Sequence, residues 1–200
     1  MIKLYEVALS GNCHKVRMLL SMLGLPYESV VVNLAGGEQR TPGYLALNPF
    51  GQVPALVDGE VVLRDSQAIL GSLASRYGGE RWWPRQASRQ AAIVGWLSTA
   101  TNEIAAGPSR LRLHHKLGRP IDLAEAEEVT RKTLEIIDGT VTDHRWLDGP
   151  DPGIADLALY PYLALSPEGD VDLARYPSIL RWMGEIRGLD GYISMPGLAD

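Results

Sequence analysis

The stretch Asn48-Pro49-Phe50-Gly51-Gln52-Val53-Pro54-Ala55-Leu56-Val57, with Asp65-Ser66 eight residues beyond it, decides how the rest of the chain is read. Its apolar run is interrupted by a proline. Proline has no N–H to give a central strand, so Pro54 is expected at the entrance of the strand that follows. An X-Pro bond there can adopt the cis form, which turns the chain sharply and leaves the preceding residue's backbone groups free. Such groups suit an extended, peptide-like ligand that pairs with them as an added strand would. Asp65-Ser66 opens a helical pattern. A carboxylate and a hydroxyl beside the free N–H groups of a helix start offer places for an ammonium and for an anion. A ligand with a peptide backbone, a carboxylate and an ammonium suits both features.

Working outward, Ile2 to Val7 reads as a buried strand and Ser10-Gly11-Asn12 as a turn. Val16, Leu19, Leu20 and Leu23 then recur at helical spacing, until Gly24 and Pro26 end the helix. Tyr27 to Leu34 is a second strand, parallel to the first because a helix lies between them. Gly36 to Arg40 is a polar loop. Thr41 and Pro42 start a short helix that ends near Leu47. Strands Ala55–Asp58 and Val61–Arg64 are close enough for a hairpin only. A helix from Ser66 follows, ending near Tyr77-Gly78-Gly79. Beyond it no strand alternation appears. Helical stretches are expected over Ala91–Ala106, Leu123–Val141, Ile154–Leu165 and, broken at Tyr176-Pro177, Leu173–Gly188. His114-His115 falls in an expected turn or loop. The predicted plan is a small α/β domain over residues 1–77, a linker over 78–86 and an all-α domain over 87–200.

The chain has 200 residues, enough for two small cores, and its 46% hydrophobic and 22% charged content is that of a soluble globular protein. A net charge of −5 argues against a nucleic-acid surface. The single cysteine, Cys13, excludes an internal disulfide and fits a reducing compartment. No basic-then-apolar leader opens the sequence, and no apolar run approaches membrane-spanning length, so a cytoplasmic protein without a membrane partner is expected. His114-His115 has no third ligand at metal spacing, and no metal is expected.

Four pieces in this order resemble the glutathione S-transferase superfamily: Ser10-Gly11-Asn12-Cys13-His14-Lys15-Val16; Gly37-Glu38-Gln39-Arg40-Thr41-Pro42; the Asn48–Pro54 stretch with Asp65-Ser66; and Ile154-Ala155-Asp156 with Tyr160-Pro161-Tyr162. The resemblance spans the whole chain. It implies a thioredoxin-like N-terminal domain, an all-α C-terminal domain, glutathione as cosubstrate, a small electrophile as second substrate and a homodimer. Glutathione reacts as its thiolate, whereas a free thiol is only slightly ionised at neutral pH. By resemblance to serine-type members, Ser10 donates a hydrogen bond to the sulfur. Asn12 is the alternative donor, and Cys13 a further candidate if it is exposed. Val53 and Pro54 match the position that pairs with the cysteinyl unit. Asp65 and Ser66 match the pair that holds the γ-glutamyl end, Asp65 being one methylene shorter than the more familiar glutamate. Gln39, Arg40 and Gln52 match positions near the glycine carboxylate. Phe50 matches an interface plug or packs locally. Asn102 and Glu103 are the candidates for the second-substrate wall, and Asp156 is assigned to folding. The resemblance implies transfer of the thiolate to an electrophilic carbon. Disulfide or peroxide reduction, isomerisation, and a binding protein without catalysis are the rival readings.

Overall fold

The computed structural model describes residues 1–198. Its first half runs β1 (Ile2–Glu6), α1 (Gly11–Met22), β2 (Tyr27–Val31), α2 (Pro42–Leu47), β3 (Ala55–Asp58), β4 (Val61–Arg64) and α3 (Ser66–Leu73). The strands form one mixed sheet in the order β2-β1-β3-β4. β1 is parallel to β2, and the β1–β3 and β3–β4 pairs are antiparallel, with Leu4 opposite Leu56. β1 alternates, so Ile2 and Leu4 enter the main core with Leu19, Leu20, Ile69 and Leu70 of α1 and α3. Tyr44 of α2 closes a smaller core with Val32 and Ala55. Thr41 caps α2 by accepting from the Tyr44 amide at 3.4 Å, and Pro42 takes the first turn, where no N–H is needed. β2 ends three residues earlier than the sequence suggests, because beyond Val32 the chain folds into the turn that leads to Glu38–Arg40.

The second half is helical. α3 continues through a π turn at Ala74–Gly78 into a short α4 (Gly79–Trp82). Residues 78–86, expected as a linker, thus carry a helix, and they bury Trp82 in the main core. Then come α5 (Ala87–Thr101), α6 (Glu103–Ala106), α7 (Pro108–Leu117), α8 (Leu123–Asp143), α9 (Ile154–Ala164) and, after two 3-10 turns at Ser166–Gly169 and Leu173–Arg175, α10 (Pro177–Arg187). The single stretch expected over Ala91–Ala106 is two helices, broken at Asn102. α7 replaces the turn or loop expected at His114-His115. Proline at its first position starts it and Gly118, at φ 64°, ends it. Its run Arg110, Arg112, His114, His115, Lys116 masks the apolar stripe that marks a helix.

α9 is the hub, packed on both α1 and α5, with nine of its residues buried. Asp156 fastens its start. Oδ2 accepts from the Gly153 amide at 2.9 Å, and Oδ1 from the Leu147 amide at 3.1 Å and Trp182 Nε1 at 2.8 Å. One carboxylate therefore joins α9, the loop before it and α10. Burial outweighs these bonds and pushes its pKa up to about 6. Asp156 is structural, as expected.

Candidate active site

Two cavities meet between the sheet and the second domain. The inner one, about 260 Å³, lies between Val53-Pro54, Asp65-Ser66-Gln67 and the helical residues Ala100, Thr101, Ala105, Ser109 and Tyr162. The outer one, about 630 Å³, is bordered by Ser10, Gln39, Arg40, Phe50 and Arg119. Asn12, Gln52, Val53 and Tyr162 belong to both, so they stand where the two join. Together the cavities form an elongated cleft.

The middle of the cleft is backbone. The Val53-Pro54 bond is cis, and the ladder of β3 begins only at Ala55. Among the described residues the Val53 N–H and C=O have no hydrogen-bond partner. They are therefore open to an extended ligand. The preceding turn is held from inside: the Gln52 carbonyl accepts from Tyr44 Oη at 2.7 Å and Asn48 Nδ2 at 2.6 Å. Gly51 has φ 60° and presses its Cα on the Gln39 carbonyl, where a Cβ would stand 3.0 Å away, so glycine is required there.

At the inner end, Asp65 rather than Ser66 is the N-cap of α3. Its Oδ1 accepts from the Gln67 amide at 2.9 Å and the Ala68 amide at 3.2 Å. Among the described residues Oδ2 has no hydrogen-bond or ion-pair partner. Asp65 also has φ 72°, one of two non-glycine residues with positive φ among those described. Such a conformation costs about 1–3 kcal/mol and survives only where the surroundings impose it. Ser66 Oγ donates to Gln67 Oε1 at 2.8 Å, and Gln67 Nε2 to Thr101 Oγ1 at 3.0 Å, which links the helix start to α5. At the outer end Arg40 is exposed and in no ion pair among the described residues. Gln39 Oε1 is buried without a partner. One end thus offers a carboxylate and a helix N-terminus, the other a cation.

The β1–α1 loop reaches the junction. Ser10 is the N-cap of α1, accepting from the Cys13 amide at 3.3 Å. That bond uses an acceptor lone pair and leaves the hydroxyl proton free to be donated. Asn12 borders both cavities. Cys13 is buried and lines neither, and burial pushes its thiol up to about 11, the opposite of a reactive thiol. Its exposure, on which a reactive role depended, is not found. Burial also keeps His14 neutral, with a pKa lowered to about 3. Lys15 is fully buried, with Nζ unpartnered and 5.4 Å from the Tyr162 ring centroid; desolvation lowers its pKa to about 7 against the opposing pull of Asp65.

The second-domain wall differs from the expectation. Asn102 and Glu103 are exposed and line neither cavity of the cleft. The helix breaks at Asn102, turning these residues toward other surface hollows. Thr101 and Ala105, on either side of them, face the cleft instead. In the sequence Tyr162 of α9 stands out only within the motif Tyr160-Pro161-Tyr162. Its hydroxyl lies against Ser109 and the backbone of Asn12, and its ring covers Gly11, where a Cβ would stand 3.0 Å from the ring. The pairing of Gly11 with a tyrosine more than 150 residues away has no local signal. Phe50 remains 64% exposed beneath the Arg64 guanidinium, 4.4 Å from its centroid.

Residues 4–81 match the family model described as glutathione S-transferase, N-terminal domain, and residues 111–190 the corresponding C-terminal domain. The chain is 34% identical to glutathione S-transferase 3 of Zea mays, over 90% of this chain and 86% of that one. It belongs to the glutathione S-transferase family. It is likewise 34% identical to a maleylacetoacetate isomerase of Pseudomonas aeruginosa, over 90% of this chain and 88% of that protein. Among solved structures, a glutathione transferase homolog from Drosophila mojavensis with bound glutathione superimposes with a TM-score of 0.85, at 27% identity over 94% of this chain and 88% of that one. The mixed sheet with its helical second domain is thus the glutathione S-transferase architecture. Among the described residues of this family member, no cluster of histidine, cysteine, aspartate or glutamate could hold a metal ion, and no helix is long and apolar enough to cross a membrane.

Proposed function

We propose that the cleft binds glutathione and transfers its thiolate to a small electrophile. The observation that carries this reading is the polarity of the cleft: a carboxylate at a helix start, a free strand-like backbone and a cation, in that order. Glutathione has the matching series of ammonium and carboxylate, peptide backbone, and terminal carboxylate. Asp65 meets the ammonium, the N-terminus of α3 with Ser66 the γ-glutamyl carboxylate, and Val53 the cysteinyl backbone. Arg40, Gln39 and Gln52 face the glycine carboxylate.

The sulfur then falls at the junction, beside Ser10 and Asn12. A hydroxyl donating to sulfur stabilises the thiolate, and the N-terminus of the twelve-residue α1 adds a favourable field. The thiolate attacks an electrophilic carbon held against Thr101, Ala105 and Tyr162; a C–S bond forms and the leaving group departs with its electron pair. Conjugation of glutathione to a chlorodinitrobenzene tests this. Ser10→Ala is expected to lower kcat/KM about tenfold or more at pH 7, since one lost pKa unit of thiol activation is worth about 1.4 kcal/mol. Unchanged turnover there, with a loss in Asn12→Ala, would assign the donor to Asn12. Wild-type protein with no measurable glutathione affinity would contradict the reading.

Isomerisation is the second reading, favoured by identity to the Pseudomonas aeruginosa isomerase equal to that shared with the Zea mays transferase. The same thiolate would serve it, and product analysis separates the two. We also propose a cytoplasmic homodimer, with Phe50 either at its interface or packed locally.

A further inference from the structure

We propose that Arg112, in the second domain, is a positioning residue for the reacting thiol: it holds the loop that presents Ser10 and Asn12. The inference rests on the glutathione reading and adds to it a link from the second-substrate wall to thiol activation.

Three consecutive carbonyls of the β1–α1 loop accept from arginines. Arg17 Nη1 donates to Val7 O at 3.4 Å and Arg17 Nη2 to Ala8 O at 3.1 Å. Arg112 Nη1 donates to Leu9 O at 3.3 Å, across 103 residues of sequence. Ser10 follows immediately. The two arginines differ in origin. Arg17 belongs to α1 and pairs with Glu6 of β1, so it ties the loop to its own domain. Arg112 comes from α7, and its Nε pairs with Glu168, which also pairs with Lys116. Gly169 seats this arrangement, since a Cβ there would lie 2.7 Å from the Arg112 amide. The guanidinium is nearly buried, and the charged or titratable groups facing it are Glu168, Lys116 through Glu168, and Tyr162. One turn before Arg112, Ser109 lines the inner cavity. A single helix therefore touches the electrophile's side of the cleft and grips the loop on the thiol's side.

A donor that drifts by an ångström loses most of its hydrogen bond, so the loop's position sets how far the thiol pKa falls. The test compares wild type, Arg112→Gln and Arg112→Lys. In the free proteins, hydrogen exchange at the Ser10 and Cys13 amides reads the clamp directly. With glutathione bound, thiolate absorbance against pH and the kcat–pH profile with the chlorodinitrobenzene read the thiol. Arg112→Gln is expected to speed exchange about tenfold and raise the bound thiol's pKa by about one unit, with KM for glutathione within about twofold of wild type. Its kcat deficit should be large at pH 6.5 and nearly absent at pH 9. Arg112→Lys should recover part of the effect, because lysine keeps a donor but not the fork. If Arg112→Gln does not fold, Glu168→Gln, which leaves Arg112 in place but loosens it, should show the same shift in smaller measure. Unchanged exchange would overturn the clamp whether or not glutathione binds. Faster exchange with an unchanged thiol pKa would overturn the positioning role. A wild type that never ionises bound glutathione overturns both the glutathione reading and the positioning role, while exchange still reports the clamp.

Discussion

Of the aspartates that stand at helix starts in this molecule, Asp156 and Asp65 are bonded in opposite ways. Asp156, at the start of α9, is fully buried, with both oxygens occupied by three donors, two on the preceding loop and one on α10. Asp65, at the start of α3, is exposed, caps two amides with one oxygen and leaves the other without a partner among the described residues. Asp156 lies in the first turn of α9. Asp65 is held at φ 72° at the end of a cleft. The contrast separates a carboxylate spent on the fold from one with an oxygen left over. A group whose bonding capacity is exhausted internally can only hold the fold, whereas one kept strained with capacity to spare is available to a ligand.

The harshest break of this contrast is Asp156→Ala. It strands three donors, two of them buried, and should cost about 3–5 kcal/mol in denaturant unfolding. A loss under 1 kcal/mol would mean that the carboxylate does not join the three segments. The loss should also depend on pH. The folded pKa of about 6 lies above the ordinary carboxylate value, so between about pH 4 and 6 the folded state holds more protons than the unfolded. The wild-type advantage over the alanine variant should therefore shrink as pH rises through that window and stay level above it.

Asp65→Ala should act on the ligand more than on the fold. Glutathione affinity is expected to fall about 30- to 100-fold by calorimetry, roughly 2–3 kcal/mol for a charge-assisted contact. Next in size comes Lys15→Met, which removes the unpartnered amine near Asp65 and should stabilise the protein by about 1–3 kcal/mol at pH 7. In the wild type the folded pKa of about 7 lies below that of a free lysine. The folded state therefore holds fewer protons over roughly pH 7 to 10, and wild-type stability rises with pH there. The methionine variant lacks this rise, so its advantage should fade toward pH 10. A constant advantage would deny the burial of a neutral amine. The smallest effect is the most discriminating. Asp65→Gly removes the strain of a positive φ, so it should be about 1 kcal/mol more stable than Asp65→Ala while binding glutathione equally weakly.

The elements with strong local signals were legible from sequence. The buried strand β1, the Thr41-Pro42 start of α2 and the Val53-Pro54 entrance to β3 each rest on a few neighbouring residues, and each stands in the structure. Val53, Pro54, Asp65 and Ser66 also lie close in sequence, and they line one cavity. The second-domain side was not legible. Thr101 rather than Asn102 faces the cleft because the chain breaks after Thr101, and no glycine or proline announces the break. α7 was hidden by its run of basic residues. Tyr162 and Arg112 reach the β1–α1 loop only through tertiary packing, Tyr162 over Gly11 and Arg112 on Leu9, which no spacing encodes.

A crystal structure with glutathione bound would read the direction of glutathione in the cleft. The expected result has the ammonium at Asp65, the cysteinyl backbone paired with Val53 and the sulfur within hydrogen-bond reach of Ser10 or Asn12. Glutathione lying in the reverse direction, or bound away from Val53 at saturating concentration, would contradict the account.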